Sequence, residues 1–178
     1  MTSKQVETNP TAATLPPMID TNAVLADLKH AKFAVPTDED MQALATLRST
    51  SEPWKVRGET AAESLEALTK LRPFIQVGKV NGTMLGYVTI ERDGPVPGAA
   101  YLRNIVVKGE LRMKGVGAVL LEKGLSVARD MNRKTLALRV DPANSMAVSF
   151  YRKNGFTTVA TVVSKKSGKL RLLMSREL

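Results

Sequence analysis

Residues 112–117 read RMKGVG. Two cationic side chains, Arg112 and Lys114, precede Gly115 and Gly117, and an apolar pattern at helical spacing follows. Glycine has no Cβ, so a ligand can approach its main chain closely. The first N–H groups of a helix lack internal partners and carry the positive end of its dipole. Bare backbone at a helix start therefore suits an anion, above all a phosphate. Standing alone, R-x-x-G-x-G also occurs in loops that need glycine only to turn. Two other phosphate motifs are excluded. G-x-x-x-x-G-K-[ST] is absent, and the spacing is not G-x-G-x-x-G. Nor does the chain alternate strand and helix as a dinucleotide fold requires.

A second group of candidates lies in DPANSMAVSFYRKNGF, residues 141–156. Asn144 is well suited to cap a helix. Tyr151 carries a phenol of pKa about 10, which holds its proton at neutral pH and can donate it. From spacing alone, Tyr151 reads better as a core aromatic beside Phe150. The chain has no cysteine. That removes disulfides, thiolate metal sites and a thiol nucleophile together. His30, the single histidine, falls in an N-terminal helix apart from these motifs, so no metal site is expected.

The elements that must position these residues follow from periodicity and punctuation. The chain has 178 residues, enough for one domain with a core and a tail. Residues 1–19 read as a flexible tail rich in Thr, Pro and Ala. Residues 20–31 form an added helix, capped by Asp20 or Thr21, with Val24 and Leu28 on one face. The domain proper spans 32–178. KFAV is a first strand. Thr37 with Asp40, and Thr60 with Glu63, open two helices as capping boxes. FIQVGKV, MLGYVTIER and AAYLRNIVV are strands, the first two joined by an Asn81-Gly82 hairpin turn. Val116, Val119, Leu120, Val127 and Met131 trace the face of the next helix. TLALRV, then a helix ending at Asn154-Gly155, then TTVATVV and KLRLLMSR complete the chain. One strand–helix–strand unit in an otherwise antiparallel series implies a mixed sheet of about seven strands, in the α/β (α+β) class.

Charge is divided unevenly. Residues 99–178 hold sixteen Lys/Arg against five Asp/Glu, and residues 1–98 hold ten against twelve. The basic half suits an anionic partner, whether a nucleotide cofactor or a nucleic acid, and also suits a plain solvated surface. Aromatic residues are 4% of the chain and do not interleave with the basic ones, which disfavours nucleic acid. No apolar run approaches the ~18 residues of a membrane span. The N-terminus lacks an apolar signal region. A cytoplasmic protein without a membrane partner is expected.

Taken in order, these blocks resemble the GNAT superfamily of N-acetyltransferases. Its members carry R/Q-x-x-G-x-G/A between the fourth strand and third helix, then an Asn after the fifth strand, a Tyr seven residues on, and a G-F pair. Here these are RMKGVG, Asn144, Tyr151 and Gly155-Phe156. The resemblance covers residues 32–178 and is strongest from 99 to 157. It implies a central sheet whose strands 4 and 5 splay into a cofactor cleft. It also implies acetyl-CoA as cosubstrate, with an acetyl group moved to a primary amine by direct attack in a ternary complex. Arg112, Met113, Lys114, Gly115, Val116, Gly117 and Ala118 would cradle the pyrophosphate. The main chain of Ile105, Val106 and Val107 would pair with the pantetheine amides. Val106 and Val107 would also donate near the thioester carbonyl, Asn144 would bond the cofactor arm, and Tyr151 would be the general acid. Trp54, in the connection that lines the acceptor side, would contact substrate or serve as a packing anchor. The acceptor would be an amine on a small molecule or a protein, and the closing hairpin leaves a homodimer open.

The pattern departs from the family in one respect. Many relatives use a carboxylate on strand 4 or 5 as base, and AAYLRNIVV and TLALRV contain none. Ribosomal-protein alanine acetyltransferases have a Glu five residues before the Asn; here that position is Arg139. Glu91 and Asp93 are the nearest carboxylates, and they read as strand-end charges. The missing base keeps two alternatives in view: a catalytically silent CoA-binding module, and an acetyltransferase directed to RNA, the ribosome or aminoacyl-tRNA.

Overall fold

The computed structural model describes residues 19–165 and 167–178. The expected tail lies outside them, Ile19 excepted. The Asp20 carboxylate accepts from the Asn22 and Ala23 N–H groups at 3.0 and 3.1 Å and opens α1 (Thr21–Ala26). After β1 (Lys32–Ala34), α2 (Asp38–Ser49) and α3 (Ala61–Leu71) each start at a reciprocal capping box, Thr37 with Asp40 and Thr60 with Glu63. β2 (Ile75–Val80) and β3 (Thr83–Glu91) meet at Asn81-Gly82, where φ is 47° and 78°. That two-residue turn matches the twist of the strands it joins. β4 (Ala100–Val107), α4 (Val116–Asp130), β5 (Thr135–Val140), α5 (Ser145–Lys153), β6 (Thr157–Val163) and β7 (Leu170–Glu177) follow. No helix of the described residues is long and apolar enough to cross a membrane.

The seven strands form one sheet in the order β1-β2-β3-β4-β5-β7-β6. Only β4 and β5 are parallel. Each face carries its own core. On one, Val88, Ile90, Leu102, Leu136 and Leu138 pack with Leu120, Leu121 and Leu125 of α4, and with Val148 and Phe156. On the other, Ile75, Val77, Tyr87 and Val106 pack under Met41 and Leu44 of α2 and Leu68 of α3. The added helix α1 seats Val24 in the α4-side core, and Asn81 Nδ2 donates to Asp27 at 2.9 Å.

The buried stripe of α4 differs from the expected one. Val116, Leu120, Leu121, Gly124, Leu125 and Ala128 are buried, while Val119 and Val127 are half-buried flanks. Gly124 and Ala128 lack the bulk that signals burial in a sequence. They face the sheet because the helix lies close on it.

The feature that matters for function is where β4 and β5 part. They pair at only three rungs, Ala100 with Leu136, Tyr101 with Ala137, and Leu102 with Leu138. Beyond these, β4 follows β3 as far as Val107, and β5 follows β7 through Val140 with Leu172. A bulge marks the parting. Thr89 faces Asn104 and Ile90 faces Leu102, so Arg103 is the extra residue of β4. Bulges bend the strand that carries them. Gly86, opposite Val107, permits the far half of β4 to lie close: a Cβ there would stand 2.0 Å from the Val106 carbonyl oxygen, at φ 147°. We expect Gly86→Ala to cost about 2 kcal/mol or more and to lower the melting temperature by ~5 °C. Calorimetry checks this, and an unchanged melting temperature would refute the close approach.

Candidate active site

The parted strands leave main chain exposed along β4. The Lys108 N–H donates to Leu85 of β3 at 2.9 Å. Strand alternation then turns Val106 toward β3 as well, and turns Ile105 and Val107 toward the gap. The Val106 oxygen against Gly86 agrees with this, and the Val106 side chain is buried in the α2–α3 core. Of the three residues expected along the cofactor arm, Ile105 and Val107 present their backbone to the gap. Val106 is held by β3. Val106 and Val107, being neighbours, do not donate into the same space.

At the end of β4 the chain turns through Gly109–Leu111 into the glycine loop. Met113 and Gly115 both adopt positive φ, 58° and 85°. The N–H groups of Met113, Lys114, Gly115, Val116 and Gly117 find no acceptor among the described residues. A Cβ on Gly115 would meet nothing within 4 Å, so the loop is uncrowded at that residue. Successive free N–H groups at a helix start form an anion-binding concavity. Ala118 is not part of it, because its N–H closes onto the Gly115 carbonyl at 3.1 Å.

The two cations of the loop are tethered but keep their charge. Arg112 Nε donates to the Val107 carbonyl at 3.2 Å, and its terminal nitrogen donates to Ser51 Oγ at 2.9 Å. Lys114 Nζ donates to the Glu110 carbonyl at 3.0 Å. All three acceptors are neutral, so positive charge remains beside the open N–H groups. Arg112 thus also acts as a strut from the loop to the end of α2, a contact that no sequence signal announced.

Helix α5 closes the other side of the gap. A Cβ on Gly117 would touch the Phe150 ring at 3.5 Å and Val107 Cγ2 at 3.8 Å, so α4, β4 and α5 converge here. Asn144 caps α5, its Oδ1 accepting from the Ala147 N–H at 3.0 Å, and its Nδ2 is left to donate elsewhere. Tyr151 packs edge-on against Phe150 and Phe156, with centroids 5.3 and 5.6 Å apart. Its hydroxyl has no protein partner and is not among the sealed polar atoms. Burial, helped by the nearby Tyr101 phenol, pushes the Tyr151 phenol well above its ordinary range. It therefore holds its proton at any physiological pH.

On the α2–α3 side, Trp54 is 9% exposed and packs in the core. The Arg48 guanidinium lies 4.5 Å from its ring centre and pairs with Glu59 at 2.6 Å. Ser64 donates to Glu59 at 2.7 Å. Burial alone would raise the Glu59 carboxyl, but Arg48 and Ser64 outweigh it and hold it below the usual range. Arg48 sits at an inward position of α2, seven residues after Met41, and that spacing was the available sign of a buried charge needing an acid. Carboxylates near the gap are likewise engaged: Glu91 with Arg103 at 2.7 Å, Asp93 with Arg133, and Asp141 with Arg171 at 2.8 Å.

Residues 41–156 match the Acetyltransferase (GNAT) family. A mycothiol acetyltransferase of Propionibacterium freudenreichii subsp. shermanii is 31% identical over 91 residues, 49% of this chain. The match spans only 28% of that protein's length. Among solved structures, Ard1 of Thermoplasma volcanium superimposes with a TM-score of 0.67 at 24% identity, over 83% of this chain and 97% of that one. The PaiA N-acetyltransferase of Thermoplasma acidophilum, in complex with coenzyme A, gives 0.61 at 17% identity, over 83% and 99%. These likenesses share the fold described above.

The open N–H cradle can be tested by charge. Acetyl-CoA at a hundred times its Kd is expected to add about 2.7 kcal/mol of stability, which raises the melting temperature by roughly 5–10 °C. Lys114→Glu places a carboxylate on an exposed loop side chain just before the helix start, where the dipole tolerates it. The variant should melt within ~3 °C of the parent without ligand and lose the ligand-induced shift. A shift that persists would take the anion site away from this loop.

Proposed function

From a chain that belongs to the GNAT acetyltransferase family, we propose an acetyl-CoA-dependent N-acetyltransferase that acetylates a primary amine directly. One observation carries this reading: five open N–H groups lead straight into a strand gap beside which stands a protonated, unpartnered phenol. Acetyl-CoA supplies an acetyl group activated as a thioester. Met113 to Gly117 hold its pyrophosphate, with Arg112 and Lys114 adding charge. The main chain of Ile105 and Val107 pairs with the extended arm as an added strand does. Asn144 Nδ2 donates to that arm, and the Val107 N–H is the donor nearest the developing oxyanion. Trp54 stiffens the acceptor wall from behind, through Arg48 and Glu59.

The chain and solvent divide the protons between them. The reaction forms a C–N bond and breaks a C–S bond. Tyr151 gives its proton to the leaving sulfur and recovers one from solvent. Glu59, Glu91, Asp93 and Asp141 are all held in ion pairs, so we assign the loss of the amine proton to water. The mycothiol acetyltransferase contributes only the reaction type, since it matches over a small part of its length.

Tyr151→Phe should lower kcat about a hundred-fold while acetyl-CoA affinity, read by calorimetry, stays as in the parent. The parent's rate should rise with pH as the amine deprotonates. It should show no falling limb below pH ~10, because burial moves the phenol upward from its usual pKa. An unchanged kcat in the variant would remove Tyr151 as the acid.

A further inference from the structure

The first residue beyond the last shared rung is an arginine on both strands: Arg103 on β4 and Arg139 on β5. Leu136, Leu138 and Val140 belong to the α4-side core. Alternation therefore points Ala137 and Arg139 to the α2–α3 face. Arg139 is exposed on that face, while α4 and α5 pack on the other. The α2–α3 core ends at Tyr87 and Val106, short of β5.

The two arginines differ in occupation. Arg103 donates to Glu91 at 2.8 Å and lies 5.8 Å from the Tyr101 ring centre. Arg139 is exposed and has no ion pair or hydrogen bond among the described residues. Across the strand it faces buried Leu173. Of the carboxylates closest to the parting, Glu91 is used by Arg103 and Asp141 by Arg171. Burial raises the Tyr101 phenol, and the Arg139 and Arg103 charges both oppose the rise. The mouth thus holds one guanidinium in excess, one residue from the rung that stops an inserted chain.

We infer that the amine acetylated here carries its own oxyanion, a carboxylate or a phosphorus oxyanion a few bonds from nitrogen, and that Arg139 binds it. This rests on the acetyl-transfer reading above. A guanidinium presents paired donors that match such a group. The same charge repels polycationic acceptors, such as polyamines and lysine-rich tails. The closeness of Arg139 to the last rung favours compact acceptors of amino-acid type.

The test uses the full chain and follows thiol release from acetyl-CoA. The acceptors are α-amino acids, the matching carboxamides, aminoalkylphosphonates and spermidine. Oxyanion-bearing amines should exceed the carboxamides in kcat/KM by about ten-fold or more. Arg139→Gln should erase that preference through KM and leave acetyl-CoA binding intact, and Arg139→Lys should restore part of it. Carboxylates against phosphonates then identify the oxyanion. Carboxamides or spermidine turned over as well as the acids would overturn the inference and leave acetyl transfer standing. So would a preference that survives Arg139→Gln. Acetyl-CoA binding with no turnover of any amine would overturn acetyl transfer itself, and this inference with it.

Discussion

Once β4 and β5 part after Leu102 and Leu138, two lengths of main chain lose the partner that a sheet would give them. An unpaired backbone group shielded from water costs roughly 1–3 kcal/mol. The fold therefore keeps a standing demand for something extended and polar between these strands. The surroundings of the gap follow from the same parting. The bulge at Arg103 bends β4 away, Gly86 lets β3 follow it, and the glycine loop starts where β4 runs out. Helix α5 supplies Asn144 and Tyr151 from the β5 side because β5 leads directly into it.

Tethers join the glycine loop to the α2–α3 connection. Arg112 links the loop to the Val107 carbonyl and to Ser51, which is buried at the end of α2 and itself donates to Leu47 at 2.6 Å. The next turns of chain carry Trp54 and lead to Glu59, both bound to Arg48. The loop that would hold phosphate and the wall that would face an acceptor are thus one hydrogen-bonded unit. The Arg48–Glu59 pair is mostly buried, and leaving either charge without the other would cost several kcal/mol. That gives the α2–α3 connection a single arrangement.

Electrostatics divides the labour around the gap. Acids near it are paired with arginines, which removes them as bases and leaves them structural. Cations at the loop bond neutral acceptors and so keep their field. Tyr151 is pushed the other way, toward a protonated phenol, because its ring is enclosed by Phe150 and Phe156 and its hydroxyl is buried. The gap is thus bordered by paired acids, cations bonded to neutral acceptors, and a protonated phenol.

Much of the architecture was legible in the linear order. Capping boxes at Thr37 and Thr60, the Asn81-Gly82 turn and the stop at Asn154-Gly155 are local signals, since the atoms that satisfy each lie within a few residues. RMKGVG could likewise be read as an anion loop, because helix-start N–H groups are free by geometry. Which strand residues turn toward the gap was not legible. That depends on the pairing of Lys108 with Leu85 and on a one-residue bulge, and a bulge changes parity without changing composition. Nor could the sequence tell that Ala118 spends its N–H on Gly115, that Arg112 reaches Ser51 sixty-one positions away, or that Arg139 is left without a carboxylate. Local chemistry is written in neighbours along the chain. Which charges find partners is decided only when the sheet brings distant residues together.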